Sequence, residues 1–249
     1  MRSKLLITAG ILNLLTANAL GGPIESFANP VDWPLVISVS AGPAWAKAGE
    51  TQTIALAPMT IKTFAAHRAT NILAAGEIFI GLQNRLLSQL SGQYGLAIAK
   101  TGDANLQGII WDDADSDFNN SKYQYYVQST RVALKGKLLL DQMRWIEPWI
   151  SVSLGISCNR AHGFNTTPLI AEEVPMNNFG GHNESSFSYT LGIGFQKPIN
   201  PNWQIGVGYE FADWGASQLG RASDQTENSG PQLDHLYTQG IMVNLTYLK

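Results

Sequence analysis

The chain has 249 residues, 45% of them apolar and only 14% charged, against about 25% charged in an ordinary water-facing domain. Its net charge of −3 excludes the basic footprint of a nucleic-acid binder. The single cysteine, Cys158, excludes an internal disulfide framework and a cysteine-based metal cluster. The length suits one undivided β domain.

Residues 1–19 read as an export signal for the Sec route. Arg2 and Lys4 form a basic start, Leu5 to Leu15 is an apolar stretch broken by Gly10 and Asn13, and Ala17-Asn18-Ala19 is a small-x-small cleavage site. The apolar stretch is shorter than the roughly 20 residues that a membrane-spanning helix needs. No later run of 18 apolar residues occurs. Residues 20–33, with Pro23, Pro30 and Trp33, read as a periplasmic lead-in, and 34–249 as one β domain.

Eight segments then alternate with a period of two, the signature of β-strands. They lie at about 35–45, 71–83, 89–100, 122–138, 147–158, 186–195, 203–213 and 235–248. In the sixth, Phe187, Tyr189, Leu191, Ile193 and Phe195 oppose Ser186, Ser188, Thr190, Gly192 and Gly194. In the seventh, Trp203, Ile205, Val207, Tyr209 and Phe211 oppose Gln204, Gly206, Gly208, Glu210 and Ala212. A strand half-exposed to water should carry charge on its polar face. Here that face is mostly Gly and Ser, which suits a cramped interior.

The connections alternate strictly. Three are short, around 84–87, 139–146 and 199–202. Four are long and polar, at about 46–70, 101–121, 159–185 and 215–234. All long connections therefore fall at one end of an antiparallel meander, the layout of a transmembrane β-barrel. The spacing predicts an all-β, eight-stranded, antiparallel up-and-down barrel with its apolar face toward lipid. A soluble lipocalin-like barrel or sandwich is the competing reading. It would put large rings inside and leave a nearly uncharged Gly/Ser face in water. Trp33, Trp145, Trp149, Phe195, Trp203 and Tyr247 are expected at the short-turn rim, and Trp45, Tyr123, Tyr125, Phe187, Phe211, Trp214 and Tyr237 at the long-loop rim, as aromatic girdles.

With these features the chain resembles the small outer-membrane β-barrels: the OmpA transmembrane domain, OmpX and the opacity-type proteins. The resemblance covers about residues 33–249 and rests on the signal, the strands, the loop alternation and the last strand. "GIMVNLTYLK" (240–249) spaces Ile241, Val243, Leu245 and Tyr247 as the barrel insertion machinery reads them in such families, and ends in Leu248-Lys249 where an aromatic terminus is usual. The resemblance implies a monomer in the outer membrane of a Gram-negative bacterium, surrounded by lipid and lipopolysaccharide.

By parity, Glu77, Arg131, Lys135 and Glu210 point inward, with Lys137 nearer the short turns. Buried charges must pair, so these four are expected to form one network. In related barrels such a network is thought to serve as a plug or gate. In "WDDADSDFNN" (111–120), Asp113, Asp115, Asp117 and Asn119 have D-x-D-x-D spacing, but Phe118 and Gln124 stand where a calcium loop needs Gly and Glu. This is a weak cation-binding pattern, and a solvated acidic tip is the simpler reading. Cys158 shares the lipid-facing parity of Ile156, and 53–64 reads as a hairpin extended above the membrane. Neither Asp115-Ser116 with His67 nor "HNESS" (182–186) matches a catalytic signature. The sequence points to a non-enzymatic surface or structural protein, without cofactor or metal, that meets a host or surface ligand through its long loops. A narrow gated pore is the runner-up, and a lipid-modifying enzyme the third.

Overall fold

The computed structural model describes residues 33–249 except 141–144, 172, 174 and 175. The expected signal peptide, and the lead-in up to residue 32, lie outside the described residues. Thirteen strands run in chain order: β1 (Leu35–Lys47), β2 (Gln52–Ala57), β3 (Thr60–His67), β4 (Thr70–Leu87), β5 (Leu90–Thr101), β6 (Ala104–Asp112), β7 (Ser121–Leu140), β8 (Glu147–Pro168), β9 (His182–Pro198), β10 (Trp203–Asp213), β11 (Ser217–Gln218), β12 (Gln232–Leu233) and β13 (Tyr237–Leu248). Among the described residues no helix is long and apolar enough to cross a membrane.

Eight of these strands close into a ring, each antiparallel to its neighbours, in the order β7-β5-β4-β1-β13-β10-β9-β8 and back to β7. They match the eight alternating segments of the sequence. Closure is what a sheet in hydrocarbon requires, because it leaves no backbone N–H or C=O row without a partner. The outward residues are the apolar sets: Ile78, Leu96, Leu134, Ile156, Val207 and Val243 are all exposed, as are Ile193 (58%) and Tyr209 (43%). Inward stand Ser151, Ser153, Ser157, Ser188, Thr190 and Asn244, all buried. A soluble barrel would show the reverse. A continuous apolar exterior of this size marks a membrane-facing surface, so the eight-stranded wall is a transmembrane barrel. Cys158 is exposed on that exterior.

The long connections depart from expectation. They are not irregular loops but a second folded storey, here called the cap. β2 and β3 pair with each other rather than prolonging β1 and β4. β3 then pairs with β6, and β6 with the upper part of β7, residues 121–127. β8 runs ten residues beyond its expected end and continues this sheet. The segment 179–181 follows, with Gly220 N–H donating to the Gly180 carbonyl at 2.8 Å, and β11 pairs with β12. The wall returns to β2 through residues 226–232. There the Thr226 N–H donates to the Leu56 carbonyl at 3.0 Å and Gln52 exchanges two side-chain bonds with the Gln232 backbone. The cap encloses an apolar core of Ile54, Leu56, Phe64, Leu106, Ile110, Tyr123, Tyr125, Phe164, Phe179, Leu219, Leu233 and Leu236.

Two tyrosines of this core give the cap a pH limit. Tyr123 and Tyr125, expected in the long-loop girdle, are instead buried in the cap core: they lie on the stretch of β7 that pairs with β6, above the lipid-facing section, where the exterior is wet and the rings face in. Burial pushes both phenols well above their ordinary value of 10.0, and the nearby Glu50 and Tyr123 add to the shift of Tyr125. A folded-state value above the unfolded one means the unfolded chain loses its protons first as pH rises. Cap stability is therefore fully present below about pH 10 and falls above it. Tyrosinate absorbance should appear together with protease sensitivity of the cap, rather than at the lower pH of free tyrosine.

Candidate functional site

The barrel lumen holds the four charged residues expected there. Glu77 stands on β4, Arg131 and Lys135 on β7, and Glu210 on β10, so the group ties three sides of the wall together. Arg131 Nη2 lies 3.3 Å from Glu77 Oε2 and 3.9 Å from Glu210 Oε1. Lys135 Nζ is bonded to Glu77 Oε1 and lies 3.5 Å from Glu210 Oε2. Two cations and two anions thus balance in a site where Arg131 is 0% exposed, as low-dielectric burial demands.

Below the network, Lys137 Nζ donates to Gln196 Oε1 and lies 4.6 Å from the centre of the Trp149 ring. Gln196 in turn donates to Glu147 Oε2 at 3.0 Å and to Gln204 Oε1 at 2.7 Å. Trp149 was expected in the short-turn girdle. It is 9% exposed and lies inside. Its ring rests against Gly194 and Gly208, where a Cβ would overlap the indole. A chamber of about 30 Å³ separates these groups from Glu77 and is lined by Ser38, Ser40, Lys135, Lys137, Ser151 and Asn244. At roughly 10–15 Å³ per water it admits about two molecules.

Above the network sits Trp214, also expected in a girdle and also inside, at 2% exposure. The Arg131 guanidinium lies 4.6 Å from its ring centre. The indole N–H donates to Thr238 Oγ1 at 2.9 Å, and the Trp214 carbonyl accepts from Asn159 Nδ2 at 2.7 Å and from the Ser157 hydroxyl. Trp214 belongs to the cap core. The lumen is thus closed twice, by a neutralised charge cluster and by a tryptophan lid that is continuous with the core above it. Strand-end position alone does not separate inside from outside. Parity does: Trp149 is in phase with Ser151 and Ser153, and Trp214 with Ala212.

Apart from Tyr123 and Tyr125, the other girdle residues face out. Trp203 packs against Tyr247 with ring centres 5.0 Å apart and Trp33 against Tyr94 at 5.7 Å, at the short-turn end. Tyr237 stacks with Phe211 at 5.7 Å at the long-loop end, while Trp45 is half-buried on β1. The acidic tip is a tight turn. The Asp117 N–H donates to Asp115 Oδ1 at 3.0 Å, and Asp113 and Ala114 have positive φ. Asp113, Asp115 and Asp117 are exposed, Asn119 lies beside them, and among the described residues no group of three or more metal-ligating side chains forms.

One histidine pair was not anticipated. His235 Nδ1 lies 2.8 Å from Asp213 Oδ2, and Asp213 Oδ1 accepts the Gly215 N–H at 2.8 Å. Asp213 and His235 fasten the two ends of the 214–236 connection, and among the described residues no hydroxyl or thiol hydrogen-bonds to His235. His67 and Ser116 lie on different cap elements, and Ser186 Oγ accepts the Ala216 N–H at 3.0 Å. None of the serine–histidine pairings considered from sequence is assembled.

Neither a protein-family model nor a curated protein sequence matches the chain. Solved structures do. The chain is similar to Neisserial surface protein A at 11% identity and TM-score 0.42, covering 86% of this chain and 96% of that one. It is similar to the outer membrane protease OmpT of Escherichia coli at 9% identity and TM-score 0.48, covering 90% and 99%. It is also similar to the outer membrane protein OprG of Pseudomonas aeruginosa at 9% identity and TM-score 0.45, covering 87% and 97%.

Proposed function

We propose that the chain is an outer-membrane protein of a Gram-negative bacterium in which a closed barrel serves as a pedestal for a folded cap on the cell's outer face. It works by contact with a surface or host ligand rather than by conduction or catalysis. It does so as a monomer set among lipid and lipopolysaccharide, inserted by the machinery that reads its last strand. The observation that carries this reading is the double seal, the paired charges roofed by Trp214 and the cap core. A gated pore needs a path that a modest rearrangement opens. Here the charge cluster and a packed aromatic layer would both have to move.

The test has two arms. In planar bilayers the purified protein should give no discrete conductance steps, and steady openings of the unmodified protein would reject the pedestal. On intact cells, a Cys158→Ser, Ser116→Cys variant should react with a membrane-impermeant maleimide. Labelling only after cell disruption would place the cap on the wrong side.

A further inference from the structure

The outward face of the cap sheet carries two rows of polar side chains that the fold does not use. Register sets His67, Gln107, Gln124 and Asn165 side by side across β3, β6, β7 and β8. Ile109, Lys122 and Thr167 form the next row. Together they line a groove of about 450 Å³. Among the described residues no hydrogen bond or ion pair engages the side chain of Gln107, Gln124, Asn165, Thr167 or Lys122. In the barrel, by contrast, Gln93 is spent on Gln83 and Gln196 on Gln204. The curvature has a local cause. The β7–β8 register slips between Gln124 and Tyr126, and Gly163 takes up the extra residue at φ +68°. Such a bulge bends the strand and re-aims its side chains.

We propose that this groove binds an acidic oligosaccharide presented from outside the cell, laid across the strands with about one sugar ring per strand. Neighbouring strands lie about 4.8 Å apart, close to the length of one hexose unit along a chain. Each primary amide offers donors and an acceptor together, which matches a pair of vicinal hydroxyls. Ile109 supplies an apolar patch for the C–H face of a ring. Lys122 is the one full cation of the groove and no carboxylate lines it, so its charge is complementary to a uronate, sulfate or phosphate on the chain. A protein partner would need aromatic or arginine anchors; of the groove's lining residues the aromatic one is Tyr123, which is buried in the cap core, while Trp111 and Tyr126 on the same face lie outside the lining. The proposal rests on the reading of the cap as the outward contact surface.

The test uses the full chain in lipid nanodiscs free of lipopolysaccharide, titrated calorimetrically with tetragalacturonate and with neutral maltotetraose. Saturable binding of the acidic tetramer, at least tenfold tighter than the neutral one, is expected. Gln107→Ala/Gln124→Ala should weaken it at least tenfold, and Lys122→Gln should abolish the preference for the acidic chain. Unchanged resistance of the cap to limited thermolysin digestion, together with a retained gel shift on boiling, shows that each variant is folded. No saturable binding, equal binding of both sugars, or unchanged binding by the double variant overturns the proposal. Nanodiscs containing lipopolysaccharide should bind equally well, and blockage by lipopolysaccharide would overturn the assignment to a chain from outside. A failure of sugar binding alongside silent bilayers and surface labelling rejects this groove and leaves the pedestal standing.

Discussion

Replacing Arg131 with Met is expected to destabilise the folded barrel by about 3–5 kcal/mol, the range for removing one partner of a buried ion pair. Arg131 is fully enclosed and faces both carboxylates. Without it, Lys135 alone must neutralise Glu77 and Glu210, and one anion is left without a cation in a low-dielectric lumen. The guanidinium face also leaves Trp214, which loosens the lid. Urea unfolding of the protein in liposomes, followed by tryptophan fluorescence and by the gel shift on boiling, measures the change. The converse variant separates pairing from packing. Replacing Glu77 and Glu210 by Gln together with Arg131→Met and Lys135→Met removes every charge of the cluster, and a buried ionic cluster replaced by neutral groups of similar volume is often nearly neutral in stability. A quadruple variant as unstable as Arg131→Met would show that shape, not charge balance, is what the site supplies.

Phe64→Ala should cost about 3–5 kcal/mol, as large-to-small changes in a packed core do, and the loss should fall on the cap alone. Phe64 is fully buried and packs edge-on against Tyr123 at 5.5 Å, Phe179 at 5.6 Å and Phe164 at 6.4 Å between ring centres. It is the hub through which β3 meets β7, β8 and the segment before β9. The membrane-spanning wall has its own ladders and does not depend on that ring. Limited thermolysin digestion should therefore cut the 52–67 and 215–236 segments of the variant while the barrel keeps its heat-modifiable mobility. Loss of that mobility along with the cap would mean the two storeys fold as one cooperative unit.

The membrane-spanning half was legible because hydrocarbon imposes one rule on every strand. Val207, Tyr209 and Ile193 could only be outside, and Glu77, Arg131, Lys135 and Glu210 could then only be inside. The cap was not legible for the opposite reason. Above the membrane the exterior is wet, so the polarity inverts. On β6, Leu106 and Ile110 go in while Asn105 and Gln107 go out, and on β7 Tyr123 and Tyr125 go in while Lys122 and Gln124 go out. A run that keeps the period but swaps its faces midway, as β7 does, looks like a strand fading into a loop. Trp149 and Trp214 were misplaced by a statistical habit of aromatic residues, although their phase along β8 and β10 already put them indoors. The Asp213–His235 pair joins positions that only closure of the barrel brings together, so no spacing in the chain announces it.

The seam between β2 and residues 226–232 has a consequence for life in a crowded membrane. A strand with a bare edge is a template onto which another copy's backbone can zip, and natural sheets guard against it. Here the guard is borrowed from the far end of the chain, with Asn228 Nδ2 donating to the Ala55 carbonyl at 2.8 Å and the Thr226 amide to that of Leu56. That clasp occupies backbone groups of β2 that a strand from another copy would need. Were it cut, the exposed rim would turn each copy into a link of a growing ribbon.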